Sequence, residues 1–172
     1  MKKIISILVL FVLLCIVVAV STGGIDERTP QERFAQAMVF ARYDTYVDHD
    51  MGYTIDYPSF FTRDDESEFG IGHVRFSYHI LTDLILECKV VPESIYVSRC
   101  ENFVETGYVD KLQAYRYVAH YIRHEHRWYI LSFYYLIDYQ SAVSGIIYRV
   151  KRWKIGTKYE LNGNICVRKI AG

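Results

Sequence analysis

LQAYRYVAHYIRHEHRWYILSFYYLIDYQSAVSGIIYRVKRWKI, residues Leu112–Ile155, is the stretch that decides the fold. It contains two apolar and aromatic runs, Leu112–Ile122 and Trp128–Ile137, joined through Arg123-His-Glu-His126. Two such runs around a polar turn predict an antiparallel β-hairpin. Both parities of each run are largely apolar or aromatic. A strand with water on one side alternates more cleanly, so the sheet holding this hairpin is expected to be covered on both faces. The period then changes. After Asp138, a good N-cap residue, Tyr139, Ala142, Val143, Ile146, Ile147, Val150 and Trp153 recur at helical spacing. They predict a C-terminal amphipathic helix that supplies one cover.

Working outward, Thr29-Pro30 opens a helix, with Pro30 at the first position, where its missing N–H costs nothing. Phe34, Ala37, Met38 and Ala41 form its apolar stripe, and it is expected to end near Arg42–Tyr43. Asp48-His49-Asp50 and Gly52 mark a turn into a strand that must stop at Pro58. The acidic stretch Arg63–Gly72 reads as a solvated loop. Val74–Ile80 and Leu84–Pro92 read as paired strands, with Leu84, Leu86, Cys88 and Val90 on one face and Glu87 and Lys89 on the other. Phe103–Val109 is a further strand. Asn162-Gly163 is placed to turn a small hairpin between Lys158–Leu161 and Ile165–Lys169. The expectation is an α/β chain of the α+β kind, an antiparallel sheet sandwiched by an N-terminal and a C-terminal helix. It spans residues 30–157, with 158–172 as a C-terminal extension.

Lys2 and Lys3 lead into an apolar run from Ile4 to Val20, broken only by Ser6, and then into Ser21-Thr-Gly-Gly24. A basic start, an apolar core and a small polar exit make a secretory signal, with residues 1–21 either removed or kept as an anchor. Residues 22–29 read as a linker. The location implied is extracytoplasmic: periplasmic, membrane-anchored or secreted. Membrane contact is expected only through an uncleaved N-terminal segment. The chain carries 20 basic and 20 acidic residues, a balance that argues against nucleic acid as partner.

The order of elements carries a resemblance. A helix precedes Gly52-Tyr-Thr-Ile-Asp-Tyr-Pro58. Later come AYRYVAHYI, then RWYILSFYYLIDYQSAV, then IIYRVKRWKI closing in Val-Lys-x-Trp. Over residues 45–155 this resembles the PsbP-like fold, an antiparallel sheet between helical layers found in photosystem extrinsic subunits and in exported bacterial proteins. The resemblance implies support of a larger assembly. It brings no catalytic residue to carry over.

Several constellations are candidates for chemistry. His120, His124 and His126 share one parity of the hairpin, and imidazoles two apart on a strand can meet one metal ion. Their bland reading is a solvated turn. Tyr115, Tyr117 and Tyr121 share the opposite parity, and tyrosine suits both interfaces and half-covered sheet margins. Arg149, Lys151, Arg152 and Lys154 cluster where a helix ends. Cations there offset the negative end of the helix dipole, and equally suit an acidic partner or phospholipid headgroups. After the signal, Cys88 and Cys100 are the nearest cysteine pair, either a disulfide or two small buried residues. Asp48-His49-Asp50 and Asp64–Glu68 lack the spacing of a calcium loop. No catalytic or cofactor motif stands in the sequence. The function expected is that of an exported bacterial envelope protein, a non-enzymatic binding or accessory module for an envelope protein partner. Its surface is expected at Tyr115, Tyr117, Tyr121, Arg149 and Arg152. A metal-binding protein and, behind it, a small hydrolase are the alternatives.

Overall fold

The computed structural model describes residues 11–12, 28–64, 70–79, 83–109, 114–156 and 166–169. In chain order the elements are α1 (Pro30–Val39), β1 (Tyr43–Asp48), β2 (Tyr53–Pro58), β3 (Thr62–Arg63), β4 (His73–His79), β5 (Asp83–Pro92), β6 (Asn102–Tyr108), β7 (Tyr115–His124), β8 (Arg127–Leu136), α2 (Ser144–Lys151) and β9 (Cys166–Lys169). One sheet has the strand order β3-β4-β5-β8-β7-β6-β9, and β1 pairs with β2 in a separate hairpin. All pairs are antiparallel except β6 with β9. The mixed α+β architecture expected from the sequence is the one observed.

The central hairpin is tighter than its sequence suggests. His124 pairs with Arg127, so only Glu125 and His126 turn, with φ of 47° and 60°. A two-residue loop with both residues left-handed has the twist that joins antiparallel strands without splaying them. Arg123 and His124 therefore belong to the strand and not to the turn.

Register assigns the side chains of the sheet to two faces. Val118, His120 and Ile122 stand opposite Phe133, Leu131 and Tyr129, which stand opposite Leu86, Cys88 and Val90. These share the main core with Phe34 of α1, Tyr53 and Ile55 of β2, and Val143, Ile146 and Val150 in and beside α2. Both helices and the small hairpin thus lie on one face. The Phe34 ring meets Tyr139 edge-on at 5.4 Å, which joins α1 to the approach of α2. The second face buries Phe103, Ala119, Tyr121, Trp128 and Ile130. Its cover is a strap, residues 93–101. The Trp128 indole N–H donates to the Tyr96 carbonyl at 3.1 Å, and the Tyr96 ring meets Tyr121 at 5.5 Å. Both faces are covered, as the doubly apolar strands require, but the second cover is not a helix.

The Thr29 cap is a full capping box: its hydroxyl accepts the Glu32 N–H, and the Glu32 carboxylate accepts the Thr29 N–H at 2.7 Å. α1 ends at Val39, earlier than expected, because Tyr43 already begins β1. That strand has no period-two burial to betray it. The C-terminal helix is also shorter. Asp138 caps nothing; it lies in a 3-10 turn, Ile137–Tyr139, and α2 starts only at Ser144. Ser141, Ser144 and Gly145 weaken the helix at this point. The apolar stripe is nevertheless buried from Tyr139 to Trp153, through turns in its first half and helix in its second. Cys166–Lys169 pairs in parallel with Phe103–Thr106, so the extension adds a strand to the main sheet. The expected partner segment Lys158–Leu161 lies outside the described residues, as does nearly all of the proposed signal. Among the described residues no helix is long and apolar enough to cross a membrane.

Cys88 lies fully buried in the main core, whereas Cys100 packs against the cluster under the strap. The sheet stands between them and both are free thiols. The Cys88–Cys100 disulfide is not formed across this separation; Cys88 is a small buried residue, as read, whereas Cys100 is only partly buried.

Candidate functional site

From Ser141 to Lys158 the chain has no acidic residue. Within it, Val150 and Trp153 turn inward while Arg149, Lys151, Arg152 and Lys154 are exposed. Arg149 and Lys151 end α2, Arg152 caps it and Lys154 follows, so four cations form a basic ridge at the C-terminal end of the helix, with Tyr148 exposed beside them. Arg149 is held most firmly. It donates to Asp56 of β2 at 3.1 Å and lies over the Tyr43 ring at 3.9 Å. The Trp153 indole N–H donates to the Thr54 carbonyl at 2.7 Å. These contacts tie the β1–β2 hairpin to the end of α2. Arg152 donates to the Tyr148 hydroxyl at 2.8 Å.

Between β2 and α2 opens a cleft of about 340 Å³. Its walls include Thr54 and Trp153, its floor reaches Leu86, Leu131 and Ile146, and its rim carries Arg149, Arg152, Lys154 and Asp56. Three cations against one carboxylate leave the mouth positive above an apolar floor. A second cleft of about 350 Å³ lies on the other side of α2, lined by Tyr108, Arg116, Tyr117 and Lys151 among others. Arg116 donates there to the Gln140 side-chain oxygen at 2.6 Å and to the Tyr108 hydroxyl at 2.7 Å. The basic ridge thus runs between two clefts.

The five residues expected to form one surface are not brought together. Arg149 and Arg152 belong to the helix-covered face. Tyr115, Tyr117 and Tyr121 belong to the other by register, and the sheet intervenes. Tyr121 is a core residue, stacked on Phe103 at 4.5 Å. Tyr117 lies across Gly107, where a Cβ would come within 2.9 Å of its ring. Its hydroxyl donates to Glu105 at 2.8 Å. Burial, then this carboxylate, raises its pKa. Tyr115 is half-buried at the end of β7 opposite Leu136. At the sheet's margin Tyr117 nonetheless lines the second cleft together with Lys151 of α2.

The histidines are separated as well. His120 is buried, its Nδ1 2.9 Å from the Val150 carbonyl and its Nε2 2.6 Å from the Asn102 side chain. With Nδ1–H donated to the carbonyl, Nε2 of the neutral ring accepts from the Asn102 amide when its NH₂ faces inward. Burial lowers the His120 pKa, against the opposing pull of the Val150 carbonyl. His124 ends the strand, and His126 is almost fully exposed beside Glu93 at 3.1 Å. Among the described residues no group of three His, Cys, Asp or Glu side chains is placed to hold a metal ion. The pairing that parity suggested fails because His120 faces the core while His126 stands in the turn itself, outside the strand's alternation.

Two features have no counterpart in the sequence pattern. Thr54 and Asp56, the outward positions of β2, become a cleft wall; alternation marks them as outward but not as facing α2. Glu87, expected only on the face opposite Leu86 and Cys88, is buried among His73 at 2.8 Å, Arg75 at 3.0 Å and Lys89 at 3.0 Å. Burial pushes its carboxyl up, yet hydrogen bonds from Lys89, Arg75 and His73 outweigh that and hold it below the ordinary range. The Asp48 carboxylate accepts the N–H groups of Asp50 and Met51, so its role is to shape the β1–β2 turn.

No family model and no curated protein matches the chain. Among solved structures it is similar to the solution structure of cyanobacterial PsbP from Synechocystis sp. PCC 6803. That match has a TM-score of 0.44 and 14% identity, and covers 67% of this chain and 93% of the other.

Proposed function

We propose that this protein is an exported, non-enzymatic binding module that docks an acidic protein partner in a bacterial envelope through the basic ridge of α2. The observation that carries this reading is the gathering of Arg149, Lys151, Arg152 and Lys154 at the exposed end of α2 in a chain whose charges balance overall. A single-sign patch steers an oppositely charged partner and fixes its orientation. Export is supported by the basic-apolar-polar pattern of Met1–Gly24.

Arg149 also holds β2, so the test uses the outer cations. A C-terminally tagged chain purified from its native envelope in mild detergent is compared with an Arg152→Glu, Lys154→Glu variant. A stoichiometric acidic partner retained by the first and lost by the second, at equal thermal stability, is the expected result. Capture unchanged by the charge reversal removes the ridge as the docking surface. A wild-type chain that emerges alone removes the module reading itself.

A further inference from the structure

We infer that the cleft between β2 and α2 takes an acidic-apolar segment of the partner, one apolar side chain entering above Leu86 and Leu131 while a neighbouring carboxylate meets Arg152 and Lys154. This rests on the docking reading above and specifies what is docked. Charge fixes the first requirement. Of the three rim cations, Arg149 is engaged by Asp56 and Tyr43. Arg152 touches a neutral hydroxyl, and neither it nor Lys154 has a carboxylate partner among the described residues. The floor fixes the second. Leu86, Leu131, Ile146 and Val150 are all core residues, yet they line this opening. They are nearly closed off from solvent, so the opening ends on a narrow apolar floor that a partner supplying charge alone would leave unfilled.

Size fixes the third. At about 340 Å³ the cleft stands near the lower end of the ~300–1,000 Å³ typical of ligand clefts. That is room for a short segment and not for a globular surface. Trp153 and Thr54 already close its wall through the indole–carbonyl bond, so the shape is present before anything binds.

The test measures fluorescence anisotropy of labelled eight-residue peptides titrated with the purified chain. One peptide alternates Glu and Leu, one Glu and Ser, and one Lys and Leu. The Glu/Leu peptide is expected to bind at least about tenfold more tightly than the Glu/Ser peptide, and the Lys/Leu peptide not to bind. The Arg152→Glu, Lys154→Glu variant weakens Glu/Leu binding by about tenfold or more, two rim pairs being lost and made repulsive. A Thr54→Trp variant fills the mouth and keeps every cation. It brings the Glu/Leu peptide down to the affinity of the Glu/Ser peptide, with an unchanged melting temperature confirming the fold. Equal binding of the Glu/Leu and Glu/Ser peptides overturns the inference, as does a Thr54→Trp chain that binds as before. In both cases the ridge remains a charge-only surface and the docking reading stands. Failure of all three peptides, while partner capture still depends on Arg152 and Lys154, also overturns it. Loss of that dependence refutes the docking reading instead.

Discussion

On one face of the large sheet Val118, Ile122, Leu131 and Phe133 lie under two helices and a β-hairpin; on the other, Ala119, Glu87 and Ser132 lie under side chains and the 93–101 strap. The first face is almost wholly apolar, with His120 buried in it as an imidazole. The second is half aromatic, around Phe103, Tyr121 and Trp128, and half ionic, around Glu87. Long side chains can cover a sheet by laying their stems along it while their charged ends stay near water. Burial of the same strands is therefore reached by two physical routes, one hydrophobic and one electrostatic. Each has its own sensitivity.

The largest effect is expected on the helix-covered face. Phe133→Ala removes a fully buried ring at the centre of the main core and should cost about 3–5 kcal/mol in denaturant unfolding. A cost under ~1 kcal/mol would mean that this face is not the principal core. Next comes Glu87→Ala, which leaves His73, Arg75 and Lys89 without their shared carboxylate. Breaking a buried ionic cluster by removing one partner is strongly destabilising. These cations keep part of their contact with water, so about 2–3 kcal/mol is expected, and less for Glu87→Gln. A loss equal to that of Phe133→Ala would erase the contrast between the faces.

Acid should separate the faces by pH window. His120 has a folded pKa lowered below the ordinary 6.5. Its neutral form is favoured by folding, so its contribution is complete above about that pH and fades as pH falls through the lowered value. Glu87 is likewise lowered, from 4.5, so its contribution holds down to that pH and is lost only below it. Stability measured between pH 7.5 and 3 is expected to fall in two stages, the first removed by His120→Gln and the second by Glu87→Gln. One stage, or a first stage that survives His120→Gln, would show that His120 is not the titrating group of the helix-covered face. This is the smallest of the three effects.

The particular elements show where the sequence was legible. The helix start at Thr29-Pro30 and the strand ending in Pro58 rest on local chemistry, and both stand as read. The β7–β8 pairing rests on two long apolar runs, and it too stands. β1 was not legible, because its six residues have no alternating burial; pairing with β2 makes it a strand. The stripe from Tyr139 to Trp153 was legible as a buried face, although its first half is turn and not helix. Burial depends on which residues face the sheet, and several local conformations satisfy that. Of the candidate site, the cations were legible as a cluster because they lie within six residues of one another at the end of a helix. Their company was not. Asp56, Thr54 and Tyr43 reach α2 only through the folding of a distant hairpin. The tyrosines were placed on the correct parity, but parity alone did not say which face α2 would cover.

By itself the sequence determined the periodicities: two-residue alternation with both faces apolar, a helical stripe, a proline stop and an acid-free basic stretch. Those follow from backbone geometry and side-chain chemistry within a few residues. Only the tertiary structure decided the sides. It put both helices on one face, parted Cys88 from Cys100 and His120 from His126, buried Glu87 among cations, and opened a cleft where β2 meets α2. Sidedness is a relation between segments far apart in the chain, and it is settled by which faces can exclude water together.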